Sequence, residues 1–347
     1  MKAKRLLPLL LAAAMGASIL TGCNNIKADA VGATLNGEEI SLGFMNFMAR
    51  FQQAMYDGYY GAMFGTDFWS KDLFGTGSDM VTTVKKQVTD SIEELYLLED
   101  HMKDYKVEIT KEEQKAIDEA AKKFMSDNTK KAIEQMGATE EYVKEMLRLN
   151  TIQSKMSKAI GAEVDTKVSD EEAAQKTFSY VKISKKTTTD EKGNSVEYTE
   201  EEQKALKSKV ENFAKSAQED FDKAAEKEEY TVSEYSYGSD EEEFAEAVIS
   251  QADEMKDGEI SGVIEDDDNY YVIRMDSTFD KEETDKKKEE IVEKRKSDHY
   301  TEVCDGYKKD AKYKVNKSEW KKVNFDDLFT LKQEKTDAAN EGASDGE

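Results

Sequence analysis

The chain has 347 residues, 50 Lys and Arg against 75 Asp and Glu, and a net charge of −25. That length suffices for two or three domains with cores of their own, and that charge excludes nucleic acid as a partner. Two cysteines and two distant histidines, His101 and His299, give no zinc-type ligand spacing and no Ser-His-Asp or Cys-His pairing, so neither a metal nor a cofactor is expected.

The N-terminus carries Lys2, Lys4 and Arg5, then an apolar stretch from Leu6 to Leu20. This is a signal-peptide core, shorter than the ~20 residues that span a membrane. It ends in Leu20-Thr21-Gly22-Cys23, the pattern of a bacterial lipobox. Cleavage after residue 22 leaves Cys23 as the site of lipidation, and acyl chains turn a soluble domain into an anchored one. Loss of the three positive residues takes the charge from −25 to −28. Cys304 is then the only other cysteine, so the mature chain can form no internal disulfide. The one proline, Pro8, lies in the removed segment, which leaves the turns to Gly, Asn and Asp.

Residues 23–32 are small and polar and read as a lipidated tether. Ala33–Ile40 reads as a hairpin turning at Asn36-Gly37, and Ser41 opens a helical region. Val81, Val84, Val88, Ile92, Leu95, Leu98 and Met102 mark one face of a long helix. Thr110 with Glu113 is a capping box for the next, whose inner face holds Ile117, Ala121, Phe124 and Met125. Gly137 closes this stretch. Thr139 opens a third helix with Val143, Met146, Ile152, Met156 and Ile160 inward. Residues 44–74 also hold ten of the 32 aromatics, together with Met45, Met48, Met55 and Met63. Such side chains serve either an ordinary core or a surface that grips varied unfolded chains. Tyr59, Tyr60, Phe64, Phe68 and Trp69 are the candidates for that surface.

After Val168 the pattern changes. Ser169 with Glu172 reads as a capping box, and Thr177–Ile183 as a strand. Residues 184–198 read as a polar loop around Gly193-Asn194. Thr199 and Glu202 cap a helix to about Gln218, a short helix follows at Phe221, and Tyr230–Tyr237 reads as a strand. Ser239 with Glu242 is read as the cap of a helix carrying Phe244, Ala247 and Ile249. Gly258-Glu259-Ile260-Ser261 leads into an extended segment. The acidic turn 266–268 reads as a solvated hairpin tip, and Tyr270–Met275 as a strand. This is a small α+β domain. A charged helix runs from Lys281 to about Lys309, and in Tyr313–Leu331 the residues Trp320, Phe325 and Phe329 read as anchors. Residues 332–347 are polar and read as a disordered tail.

Three stretches carry a resemblance: Thr34-Leu35-Asn36-Gly37-Glu38-Glu39-Ile40 before a helix; two helices joined by Val107-Glu108-Ile109-Thr110-Lys111-Glu112-Glu113; and Gly258-Glu259-Ile260-Ser261-Gly262 leading to Tyr270-Tyr271-Val272-Ile273-Arg274. With the lipobox, this order resembles the PrsA/SurA group of extracytoplasmic foldases over almost all of the mature chain. The resemblance implies an α+β protein. Its SurA-N-like helical chaperone domain is built from 33–165 and a C-terminal segment, 281–331. Between them, 166–280 is a parvulin-like (PpiC-type) prolyl isomerase domain.

The chemistry departs from that family. Parvulins keep a histidine in the first strand and another in the last, and the pattern places these at Tyr180 and Tyr271. The pocket methionine falls near Asp240, while the pocket phenylalanine is kept as Phe244. Two readings stand: an altered catalytic pair, or sheet tyrosines in a degenerate pocket, with isomerase activity weak or absent. The expected function is a membrane-anchored extracytoplasmic foldase or chaperone that binds unfolded exported proteins. An active prolyl isomerase is the alternative within the family, and a solute-binding lipoprotein of a transporter the rival outside it. A homodimer is left open.

Overall fold

The computed structural model describes residues 15–16, 26–65, 67–189, 195–241 and 244–331. Cys23 and its lipobox, Gly193-Asn194, Glu242 and the tail 332–347 lie outside the described residues. The chain divides into two compact units, one running to Val164 and resuming at Ser297, the other Asp165–Lys296. Residues 281–296, assigned from sequence to the C-terminal segment, group with the central unit. The class is α+β, as the sequence implied.

In the discontinuous unit, β1 (Val31–Leu35) and β2 (Glu38–Ser41) form the hairpin. Asn36 and Gly37 both take positive φ, 51° and 97°, which suits a two-residue turn between twisted strands. A third strand, Tyr313–Val315, pairs antiparallel with β1 on the other side, an element the sequence did not announce. Five helices follow: α1 (Leu42–Phe64), α2 (Met80–Asp100), α3 (Lys111–Asp127), α4 (Lys130–Met136) and α5 (Glu140–Gly161). Ser41, Asp79, Thr110, Thr129 and Thr139 each accept a backbone N–H in the first turn, a contribution of about 1 kcal/mol apiece. Thr110 and Glu113 complete the capping box. Gly137 ends α4 at φ 64°, where a Cβ would meet the Asn46 amide at 2.8 Å.

The apolar faces of α1, α2, α3 and α5 converge on Phe44, Phe47, Val84, Ile92, Phe124, Val143 and Leu149. Met102 lies beyond the end of α2, and Val81 is only half-buried. Trp320, Phe325 and Phe329 are buried in this core, as anchors should be. A second cluster joins Leu98, Ile152, Met156 and Ile160 to Cys304. Burial pushes the Cys304 thiol up to about 11, so it is inert at neutral pH.

The central unit opens with α6 (Asp170–Ala173), one turn capped by Ser169. Then come β3 (Lys176–Ser184), β4 (Thr187–Thr189) and β5 (Ser195–Glu197). The segment read as a loop thus holds a small hairpin, β4 with β5. Next are α7 (Glu200–Ala217), α8 (Phe221–Lys227), β6 (Ser233–Tyr237), α9 (Glu246–Asp253), β7 (Ile264–Glu265) and β8 (Asn269–Ser277). The helix α10 (Lys281–Asp310) leaves this unit at its midpoint. The sheet is antiparallel in the order β6-β3-β8-β7.

Register assigns the two faces. Tyr180 stands opposite Ile273 and Lys182 opposite Tyr271, while Val181 stands opposite Val272. Alternation then places Val181, Ile183, Tyr270 and Val272 on the face covered by Leu206, Val210 and Phe213 of α7 and Phe221 of α8. Phe178, Tyr180, Tyr271, Ile273 and Met275 occupy the other face, with Val248 and Ala252 of α9.

Candidate functional site

The second sheet face carries a shelf of rings. Phe244 is its hub: its centroid lies 4.4 Å from Tyr235, 5.2 Å from Tyr180, 5.5 Å from Phe178 and 5.9 Å from Tyr271. Tyr235 and Tyr237 join because alternate residues of β6 share a face, and Tyr237 lies 5.7 Å from Phe178. The sequence reading named Tyr180, Phe244 and Tyr271, and the structure brings all three together. It missed Tyr235 and Tyr237, whose two-residue spacing was the available signal.

One detail of that reading is corrected. Helix α9 begins at Glu246 behind Ala245, which offers no side-chain cap, and Phe244 precedes the helix instead of riding on it. Ser239 lies in a turn. Four ring contacts at about 0.5–1.5 kcal/mol each hold Phe244 on the sheet. Asp240, at the methionine position of the pattern, is exposed and pairs with Lys287 at 3.3 Å.

The two tyrosines differ in their surroundings. Tyr271 is buried, and its hydroxyl donates to Asp266 Oδ2 at 2.9 Å. Burial, then this carboxylate, pushes the phenol up to about 12. Asp266 stays below the usual carboxylate range although its partial burial acts the other way. The backbone N–H groups of Asp268 and Asn269, at 2.8 and 2.6 Å, and the Tyr271 hydroxyl donate to it. The acidic turn is thus an internally bonded tip, with Lys185 donating to the Asp266 carbonyl and Lys186 paired with Asp268. Tyr180 is half-buried at the margin of the shelf.

No histidine and no cysteine occurs between Asp165 and Lys296. The face therefore offers apolar contact area and phenol hydroxyls, without an imidazole or a thiol. An apolar pocket can favour a twisted amide by holding it away from water.

Residues 184–291 match the family model of the PPIC-type PPIase domain. The central unit is parvulin-like. The match includes Phe244 and Tyr271 and begins at the last residue of β3, so Tyr180 precedes it. Among solved structures, the foldase PrsA of Lactococcus lactis is similar at 17% identity and a TM-score of 0.36, covering 85% of this chain and 97% of that one. PrsA of Bacillus cereus is similar at 22% identity and 0.32, covering 74% and 97%. A Campylobacter jejuni chain described with the SurA-like chaperones PEB4 and Cj1289 is similar at 11% and 0.29, covering 82% and 99%. No curated protein sequence matches. No helix of the described residues is long and apolar enough to cross a membrane.

The candidate client-binding residues separate into two groups. Tyr59 is 70% exposed and Phe64 42%, with Met63 and Phe74 also open to solvent. Tyr60 is half-buried, its ring 4.9 Å from Tyr59 and 5.9 Å from Phe64. Phe68 and Trp69 are buried, which corrects their assignment as contact residues. The single 3-10 turn Phe68–Ser70 tucks both rings inward. There the Trp69 indole N–H donates to Asp57 at 2.7 Å, and its ring packs edge-on against Phe325 at 4.7 Å.

Proposed function

We propose that this chain is a membrane-anchored extracytoplasmic chaperone that holds unfolded exported proteins, and that its parvulin-like unit acts as a binding platform more than as a catalyst. The observation that carries the reading is the exposed group Tyr59, Met63, Phe64 and Phe74 in a chain that also bears a histidine-free parvulin-like domain. Exposed apolar side chains of this size, two of them packed on Tyr60, are a liability in a soluble monomer unless something binds them. The strong negative charge keeps such a surface dispersed. The lipobox at Leu20–Cys23 supports the anchor and the outer face of the membrane.

Aggregation of a chemically unfolded client tests this in the presence of stoichiometric mature protein. Slower aggregation is the expected result, and none refutes the reading. A second reading, slow prolyl isomerisation on the shelf, is favoured by the retained Phe244 between Tyr180 and Tyr271. A proline-peptide assay on the same sample separates the two.

A further inference from the structure

Residues 324–329 have no strand or helix of their own. Their backbone is bound by side chains from two helices, α1 and α4. Arg50 donates to the carbonyls of Asn324 and Asp327, both at 2.9 Å, and Gln53 to those of Phe325 and Asp327 at 3.2 and 3.1 Å. Gln135 donates to the carbonyls of Asp327 and Leu328 at 2.9 and 3.0 Å. Asp57 accepts the N–H of Phe329 at 2.8 Å. Just upstream, Lys85 donates to the carbonyls of Trp320 and Val323. Two rings fill apolar sites four residues apart: Phe325 against Trp69, and Phe329 beneath Arg50, whose guanidinium carbon lies 5.0 Å from the ring centroid. Arg50 itself is 1% exposed.

These side chains address the backbone of the segment rather than its own side chains. Backbone carbonyls exist in every sequence, so donors aimed at them tolerate any client, and the two ring sites supply the selectivity. We propose that this groove is a peptide-binding site, filled here by the chain's own strap, and that it accepts an extended unfolded segment with two aromatic residues four apart. A second observation connects it to the surface. From Phe325 the rings run through Trp69, Phe68 and Tyr60 to Tyr59 and Phe64 without a gap wider than 6.2 Å between centroids. A client caught on the exposed rings lies at the end of the row that leads to the strap. The proposal rests on the chaperone reading and names the site through which it acts.

Because the strap is tethered, it competes at a high effective concentration and lowers the apparent affinity of an outside peptide. The probe is a fluorescent ten-residue peptide copying 320–329, with a control in which both phenylalanines are serine. Against the mature full-length protein, Phe325→Ala with Phe329→Ala should tighten probe binding at least tenfold, and the control should not bind. Unchanged or weaker binding by a variant with native circular dichroism overturns the proposal. Should that variant not fold, amide exchange on the wild type decides. Millimolar probe should speed exchange in 324–329 at least tenfold and leave α1 protected, whereas no change overturns it. Client aggregation slowed by the wild type, with no response to the strap in either measurement, removes the groove and leaves the chaperone reading standing. No suppression by any form removes the chaperone reading.

Discussion

Replacing Tyr59 and Phe64 together with serine separates client contact from fold. Tyr59 is 70% exposed and Phe64 42%. Taking an aromatic as roughly 200 Å², the two leave on the order of 140 and 80 Å² open. At about 25 cal/mol per Å² their burial by a client has a ceiling near 3.5 and 2 kcal/mol. Ordering of side chains and client reduces this to about 1 kcal/mol each. The pair of substitutions should therefore weaken client binding roughly 30-fold, since 1.4 kcal/mol is a factor of ten. The fold loses the Tyr59–Tyr60 and Tyr60–Phe64 ring contacts, at 4.9 and 5.9 Å, about 2 kcal/mol together and a Tm shift of roughly 6 °C. The assay is light scattering from an unfolding client titrated with protein, beside a thermal melt of the protein alone. A double variant that stays folded at the assay temperature and suppresses aggregation equally well refutes the assignment of this surface.

Three further outcomes are expected. Tyr271→Phe removes the hydrogen bond to Asp266, which keeps two backbone donors. The loss should be about 1 kcal/mol, with isomerisation unchanged because the hydroxyl is engaged in the turn. The phenol's folded pKa of about 12 exceeds its unfolded value near 10, so the folded state binds the extra proton. The wild type's advantage over Tyr271→Phe in urea unfolding should hold below pH 10 and disappear as pH rises to 12; an advantage that grows over that range would contradict the geometry. Phe244→Ala, which removes four ring contacts from a half-buried position, should destabilise the central unit by about 2 kcal/mol, read by denaturant titration. Cys23→Ala should appear as precursor or in the medium; a mature-sized lipidated form in the membrane fraction would sink the lipoprotein reading.

The parts legible in the sequence are those whose causes are local. Asn36-Gly37 dictates its turn from two adjacent residues. The boxes Thr110/Glu113 and Thr199/Glu202 fix helix starts within four. Tyr180, Phe244 and Tyr271 were named together through the family resemblance, and the sheet register brings them onto one face. What the sequence hid depends on distant partners. Tyr313–Val315 is a strand only because β1 offers it an edge. Ser239 and Glu242 spell a cap, yet the helix that follows begins at Glu246 and Phe244 packs on the sheet before it. Arg50 looks like a solvated charge on α1, yet it is buried by carbonyls more than 270 residues away. Phe68 and Trp69 sit in the same aromatic run as Tyr59, and no periodicity separates inward from outward once the helix ends at Phe64.

The most direct test runs a prolyl-isomerase assay and an aggregation assay on one preparation of the mature protein. The account predicts clear suppression of aggregation at stoichiometric protein, with peptide isomerisation close to the uncatalysed rate and no inflection between pH 6 and 8. Isomerisation as fast as that of histidine-bearing parvulins, or no suppression of aggregation, would contradict it.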